Sequence, residues 1–409
     1  MDLILKPARL TGAVMPPPSK SQAHRLLIAA ALSDGVSEIE GVSDSQDMEA
    51  TIRCMRALGA EFRRRAGGVS VTGLFCGGAP RCEALPRLDC GESGSTLRFL
   101  IPVALAVAGG GVFMGRGRLM ERPQTAYAAL FREKGIAFSL EDSVLTVRGV
   151  LRPGDYRLPG NVSSQFFTGL LYALPLLNGL SRLESTTELE SAGYLDMTLE
   201  ALHGAGITAA RTGNAFFVMP GHYRSGRWAV EADWSQAAFF CVANGIGNAI
   251  QILGLNPDSA QGDRVIESYV NQMRASGPVT LDVRQCPDLA PALALQAALR
   301  AGEITRIVGA ARLRIKESDR LATVTAALSA LGAQIAEGPE SLEIHGVSAF
   351  HGGEAHSGND HRIAMMTAMA ATRADGPVIL RDAGCVAKSY PDFWQVYGRL
   401  GGKFEEIKE

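Results

Sequence analysis

The sequence predicts an α/β protein assembled from six internal repeats, three to a domain, with apolar helices inside each domain. Three observations carry that prediction. Six times, a small polar or charged head runs straight into an apolar stretch of helical length. Taking Ser21, Ser95, Ser164, Ser235, Leu289 and Arg362 as markers of those junctions, the steps are 74, 69, 71, 54 and 73 residues. A second series keeps the same beat: Gly59, Gly135, Gly206, Gly277, Gly332 and Gly401 each close an amphipathic stretch, at steps of 76, 71, 71, 55 and 69. Two independent markers on one period mean an internal repeat.

Each repeat reads in the same order. An apolar helix comes first, with heads Ser19-Lys20-Ser21-Gln22, Gly94-Ser95-Thr96, Ser163-Ser164-Gln165, Trp234-Ser235-Gln236, Asp288 and Asp360-His361-Arg362 in turn. A short strand and turn follow. An amphipathic helix then ends at the marker glycine, which suits a left-handed cap; residues 47–58 before Gly59 and 318–331 before Gly332 are the clearest cases. A strand pair completes the unit, seen as near-alternation in GVSVTGL, SVLTVRG, AFFVMPG and SLEIHGV. The order is βαβαββ. Helices apolar all round belong in a core, and three units suffice to enclose one. The 54-residue fourth step is the one irregularity. A domain crossing is expected at 227–233, just before the fourth head, and another at the Pro-rich 16–18.

Composition narrows the function. The chain has 409 residues, 46% hydrophobic and 20% charged, with a formal charge of −2. That size allows two domains with proper cores, and that balance argues against a nucleic-acid surface. Seven cysteines, at 54, 76, 82, 90, 241, 286 and 385, show no CxxC. With a strand-like LILKPARL at the start and no signal or transit pattern, they read as reduced thiols of a cytoplasmic protein, packed in the core. The longest apolar run, residues 99–114, contains Pro102 and three successive glycines, a poor membrane span. No phosphate-binding loop, zinc-protease helix, nucleophile elbow or dinucleotide fingerprint occurs, and no His pair has metal-ligand spacing.

The heads and their loops concentrate the cations Lys20, Arg25, Arg98, Arg122, Arg320, Arg362 and Lys388 beside the carboxylates Asp288, Glu317 and Asp360. Cations at the heads of buried helices point to small anionic ligands. The plainer reading of each polar head is an N-cap, worth about 1 kcal/mol. Likewise Asp47, Asp196 and Asp319 read as helix-start carboxylates, Arg63-Arg64-Arg65 as a solvated strand face, Arg98 as structural, and His24 as a packing or capping residue.

Seven segments, in order, resemble the 5-enolpyruvylshikimate-3-phosphate synthases: PPPSKSQAHRLLIAAAL, CGESGSTLRFL, ERPQ, GNVSSQFFTGLL, IKESDRL, GNDHRIAM and AKSYPDFW. The resemblance runs from about residue 5 to 395. It implies a two-domain inverted α/β barrel with three βαβαββ units per domain and an active site in the interdomain cleft. The domains it implies are 18–228, mainly on the shikimate 3-phosphate side, and 1–17 with 229–409, on the phosphoenolpyruvate and acid–base side. It also implies a monomeric enzyme without metal or cofactor, which moves the enolpyruvyl group of phosphoenolpyruvate to the 5-hydroxyl of shikimate 3-phosphate and releases phosphate.

By motif, Lys20, Ser21, Arg25, Ser163, Ser164, Gln165, Ser191, Tyr194, Asp288 and Lys316 are implied to hold shikimate 3-phosphate. Lys20, Gly94, Arg122, Gln165, Arg320, Arg362 and Lys388 are implied to hold phosphoenolpyruvate, and Lys20, Asp288 and Glu317 to move protons. Gly94 also leaves the room that phosphonate analogues such as glyphosate need. Two positions depart from the family pattern: Glu92 and Arg312 stand where Asn is common. A related sugar-nucleotide enolpyruvyl transferase typically has Lys-Asn at Lys20-Ser21 and commonly a cysteine in the loop that here reads GRGRLMERP. A non-catalytic repeat scaffold would not need Lys20, Asp288 and Glu317 together.

Overall fold

The computed structural model describes residues 1–78 and 84–407; Cys82 lies outside them. Twelve helices among the described residues alternate between two kinds, as the repeat predicts. They are α1 Lys20–Ala31, α2 Gln46–Ala57, α3 Gly94–Ala108, α4 Thr125–Glu133, α5 Ser164–Ala173, α6 Ala192–Gly204, α7 Trp234–Gly245, α8 Ile266–Gln272, α9 Ala290–Ala298, α10 Arg320–Ser329, α11 His361–Ala371 and α12 Phe393–Arg399. The odd-numbered helices follow the polar heads and are buried along nearly their whole length. The second helix of the first repeat has the length the sequence suggests but starts one residue earlier, after its cap Ser45, and that of the fifth is shorter, starting after its cap Asp319.

The chain divides into two compact units: a first unit, Pro18–Glu231, and a second unit of Met1–Pro17 with Ala232–Glu409. Each has its own apolar core built around its three buried helices. The first unit carries three open four-stranded sheets of one design. In each, a leading strand pairs parallel to the strand that follows the buried helix, and a β-hairpin adds two antiparallel strands. Its first sheet takes its leading strand, Arg227–Ala229, from the unit's far end.

The second unit repeats the design with two changes. Its last sheet borrows Leu3–Lys6 from the start of the chain, which lies between Val378–Arg381 and Lys403–Glu406. Its first sheet has only two strands, Thr11–Val14 parallel to Ala249–Ile252. The expected βαβαββ order therefore fails in the fourth repeat, because Gly277 leads directly into the strand Val279–Asp282 of the next. The missing hairpin is the physical content of the 54-residue step. The exposed edge it leaves is partly closed by Asn244, whose side chain accepts from Ile250 N (2.7 Å) and donates to Ile250 O (2.8 Å), as edge protection requires.

All six marker glycines have positive φ, from 67° to 111°. In five repeats the residue after the glycine donates back to a carbonyl five residues earlier, as in Ala60 N to Met55 O and Ile136 N to Phe131 O, the Schellman closure. After Gly277 comes Pro278, which has no N–H to give.

Cys54, Cys90, Cys286 and Cys385 are buried, whereas Cys76 is exposed and Cys241 partly so; core packing does not describe those two. Asp196 is the other correction. It lies one turn into α6 and faces Arg211 at 3.4 Å, so it is no helix-start carboxylate. No helix among the described residues is long and apolar enough to cross a membrane.

Candidate active site

In the first unit, the heads of α1, α3 and α5 are capped alike, and those of α3 and α5 are tied together by their own polar side chains. Ser19, Ser93 and Ser163 are the N-caps, accepting from Gln22, Thr96 and Gln165 backbone N–H groups. The plain capping reading therefore holds for one serine in each head, while Ser21, Ser95 and Ser164 stand just inside the helix. Gln165 bridges two heads: its Oε1 accepts from Arg98 Nη1 (2.9 Å) and its Nε2 donates to Ser95 Oγ (3.0 Å). Arg98 also donates to the Pro123 carbonyl and lies over the Phe166 ring at 4.9 Å, the structural role expected of it.

Lys20 opens α1 and meets Asp47 Oδ2 at 2.8 Å, both side chains mostly buried. Asp47 is in the first turn of α2, but its contact with Lys20 was not legible in the sequence: 27 residues separate them and no local pattern links the two helices. Arg25 is 2% exposed, and no carboxylate lies within salt-bridge distance of it among the described residues. Its Nε donates to Thr198 Oγ1, and its Nη groups to the Ser21 and Tyr194 carbonyls. Burial pulls it down to about 10. A buried guanidinium held only by neutral acceptors keeps a charge that an anion nearby would offset. Ser191 precedes α6 in a left-handed conformation (φ 57°) and is 2% exposed, a backbone cost that sites commonly bear.

Gly94 and Arg122 form one device. Arg122 follows the turn Leu119–Glu121 and is 7% exposed. A Cβ on Gly94 would lie 2.4 Å from its Nη1 and 2.8 Å from its Cζ. Gly94 is therefore what lets the guanidinium lie across the start of α3. Glu92 packs against Gly117 in the same loop, where a Cβ would come within 2.9 Å of its carboxyl group.

In the second unit, a compact charge network joins the heads of α9, α10 and α11. Asp288 sits in the turn Pro287–Leu289 that leads into α9. The head of α9 is the one of the six whose N-cap residue makes no side-chain hydrogen bond, and Asp288 there takes three cations: Lys316 Nζ at 3.3 Å, Arg320 Nη1 at 2.8 Å and Arg362 Nη2 at 3.0 Å. Arg320 also holds Glu317 Oε2 (2.7 Å) and Asp360 Oδ2 (2.7 Å). Asp360 in turn caps α11 through Arg362 N. Burial alone would weaken the Arg320 charge, but Asp360, Glu317 and Asp288 outweigh it and hold the group well above its ordinary range. Desolvation dominates at Lys316, pushing it down to about 8 despite Asp288. Arg312 is buried, donates to the Arg284 carbonyl and adds to the positive field on Lys316. Lys388 is 4% exposed and donates to the Asn359 carbonyl at 2.7 Å, beside Asp360. His361 is buried next to Asp360.

The structure thus brings Asp288, Lys316, Glu317, Arg320 and Arg362 into one network with Lys388 alongside. Within the first unit it gathers Lys20, Arg25, Ser163, Ser164, Gln165, Ser191 and Tyr194 around α1, α5 and α6. Such paired acids and mobile-proton lysines suit proton transfer at a carbon centre, and the arginines suit carboxylate and phosphate groups.

A family model described as "EPSP synthase (3-phosphoshikimate 1-carboxyvinyltransferase)" matches residues 4–397. A 3-phosphoshikimate 1-carboxyvinyltransferase of Clostridium beijerinckii is 42% identical over 99% of this chain and 98% of its own length. The enzyme of the same name from Clostridioides difficile is 42% identical, covering 99% and 98%. Among solved structures, an EPSP synthase from Acinetobacter baumannii aligns with TM-score 0.80 at 24% identity, covering 99% of this chain and all of the other. The enolpyruvyl transferase NikO from Streptomyces tendae aligns at 0.77 and 18%, covering 100% and 99%. Both share the fold.

Proposed function

The chain belongs to the EPSP synthase family, and on that premise we propose how its residues divide the work of that family's reaction. The enzyme transfers the enolpyruvyl group of phosphoenolpyruvate to the 5-hydroxyl of shikimate 3-phosphate and releases phosphate. In the addition step the hydroxyl oxygen bonds to C2 of phosphoenolpyruvate, the hydroxyl proton leaves, and the methylene carbon gains a proton. In the elimination step that carbon gives a proton back and the C2–O bond to phosphate breaks, restoring the double bond. Each step needs an acid and a base, and the departing phosphate needs cations around it.

The observation that carries the assignment is the Asp288 network. Asp288 is 18% exposed at its side chain and fixed by three cations, which supports its orienting the 5-hydroxyl, and it is the candidate base for that hydroxyl's proton. Glu317 shares Arg320 with it, and Lys20 is the other candidate proton carrier for the methylene carbon. Arg122, Arg320, Arg362 and Lys388 would take the carboxylate and phosphate of phosphoenolpyruvate. Arg25, Ser21, Ser163, Ser164, Gln165, Ser191, Tyr194 and Lys316 would take shikimate 3-phosphate. The bacterial relatives and the reduced thiols support a cytoplasmic location.

The test is phosphate release from phosphoenolpyruvate with shikimate 3-phosphate, with UDP-N-acetylglucosamine, and with no acceptor. Release with shikimate 3-phosphate alone is the expected result. Release with the sugar nucleotide would sink the assignment of the acceptor.

A further inference from the structure

Asp263 is a buried carboxylate that none of the roles above uses. It lies in the turn Gly262–Val265, 3% exposed, on a segment clamped across the start of α7. Gln261 Oε1 accepts from Trp234 N (3.0 Å) and Gln261 Nε2 donates to the Ala232 carbonyl (2.9 Å). Ser235, in the first turn of α7, donates its hydroxyl to Asp263 Oδ2. The turn that carries Asp263 and the turn Pro287–Leu289 that carries Asp288 both pack against α7, and the titratable and charged groups that act on Asp263 come from three elements: Asp233, the cap of α7; Asp288 and Cys286 ahead of α9; and Arg362 at the head of α11, which meets Asp288 at 3.0 Å. Desolvation, then the charge of Asp288, push Asp263 up to about 6, against the pull of Arg362 and the Ser235 hydrogen bond.

Repulsion between two carboxylates is mutual. Three cations on Asp288 work against its ability to accept a proton, and a base for an alcohol needs that ability. A fixed negative charge behind it works the other way.

We propose that Asp263 is a positioning residue for enolpyruvyl transfer: seated at the head of α7, its carboxylate opposes the cations gathered on Asp288 and keeps Asp288 basic enough to take the acceptor's hydroxyl proton as the oxygen bonds to C2. This rests on Asp288 being that base. It is distinct from Asp233 and Asp360, each of which caps a helix through its Oδ1.

The experiment is the pH profile of kcat/KM for the full-length enzyme and its variants Asp263→Asn, Asp263→Glu and Ser235→Ala, with Asp288→Asn alongside. The wild-type acid limb carries two ionisations, one of them from Asp263. Asp263→Asn keeps an acceptor for Ser235 but removes the charge. Its limb moves to lower pH with a single ionisation, and its plateau falls roughly threefold through the weaker base. Asp263→Glu restores the wild-type limb. Ser235→Ala removes a hydrogen bond that favours the charged form, so the Asp263 ionisation moves up. Profiles of Asp263→Asn and Ser235→Ala that keep the wild-type midpoints and slope, even at uniformly lower activity, overturn the inference; if Asp263→Asn fails to fold, Ser235→Ala decides. Asp288→Asn is expected to lose on the order of 100-fold in turnover. Near-wild-type turnover there overturns the base assignment and this inference together. Loss there with unmoved Asp263→Asn and Ser235→Ala profiles overturns this inference alone.

Discussion

At the scale of single residues, Gly94 shows how a missing atom sets chemistry. The guanidinium of Arg122 occupies the space a Cβ would need, 2.4 Å from Nη1, and Arg122 is too buried to swing away freely. Gly94→Ala must therefore displace the arginine from the head of α3. A phosphonate analogue of phosphoenolpyruvate such as glyphosate, which relies on the same arginine and fills the same space, should lose roughly 10- to 200-fold in affinity, the range for one methyl group in a fitted pocket. The KM for phosphoenolpyruvate should rise less steeply. Inhibition constants for the two proteins measure both effects, and equal glyphosate inhibition would mean that Arg122 yields without cost. The sequence made Gly94 and Arg122 legible as motif residues but not as a pair, because their contact spans 28 residues and depends on a turn no pattern announces. Asp47 was hidden in the same way: a carboxylate in a first turn looks like a dipole partner until the fold brings Lys20 against it. Asp263 had no signal at all, since neither its burial nor its neighbours can be read from a QGD segment in a loop.

At the scale of elements, the repeat was legible because both of its markers have physical causes. The marker glycines recur because each amphipathic helix ends in a left-handed residue, and φ is positive at all six. Gly135 isolates that cause. Its φ is 67° and a Cβ there would meet nothing within 4 Å, so a substitution tests backbone strain without a clash. Gly135→Ala should cost about 1–2 kcal/mol, or about 2–4 °C in Tm per kcal/mol for a unit of this size. Gly135→Asn should cost less, because Asn tolerates the left-handed region. Calorimetry of the three proteins checks the order, and an alanine variant as stable as the parent would show that the helix end relaxes. The polar heads were legible for a mixed reason. Five of the six are capped by a serine or aspartate, as propensity alone would supply. The fifth head, Asp288, departs from the rule, and it is also the one that holds three cations. A local rule broken at one of six equivalent positions is where a site is to be sought.

At the scale of the whole molecule, the connectivity follows from which strands the repeats lack. The first repeat's leading strand comes from Arg227–Ala229, the fourth's from Thr11–Val14, and the sixth's last strand from Leu3–Lys6. The chain therefore passes twice between units, at 17–18 and 231–232, and the first unit is one continuous segment with both ends hydrogen-bonded to each other through Ser19 N and Glu231 O (2.8 Å). Its apolar cluster draws on no residue outside 18–231. A segment with its own core, sheets built wholly of its own strands and adjacent ends meets the requirements for independent folding. Residues 18–231 expressed alone should unfold cooperatively in urea, and shikimate 3-phosphate should raise the midpoint, since Arg25, Ser163, Ser164 and Ser191 all lie within it. Ligand that binds only the folded state adds stability in proportion to the logarithm of its concentration over Kd, so the shift should grow with concentration rather than plateau. Phosphoenolpyruvate alone should move the midpoint far less, because Arg320, Arg362 and Lys388 belong to the other unit. A broad, non-cooperative transition would show that the second unit is needed to complete the core. A cooperative transition that ignores shikimate 3-phosphate would instead count against the residues proposed to bind it, and Arg25→Ala in the full-length enzyme would then be expected to leave its KM unchanged.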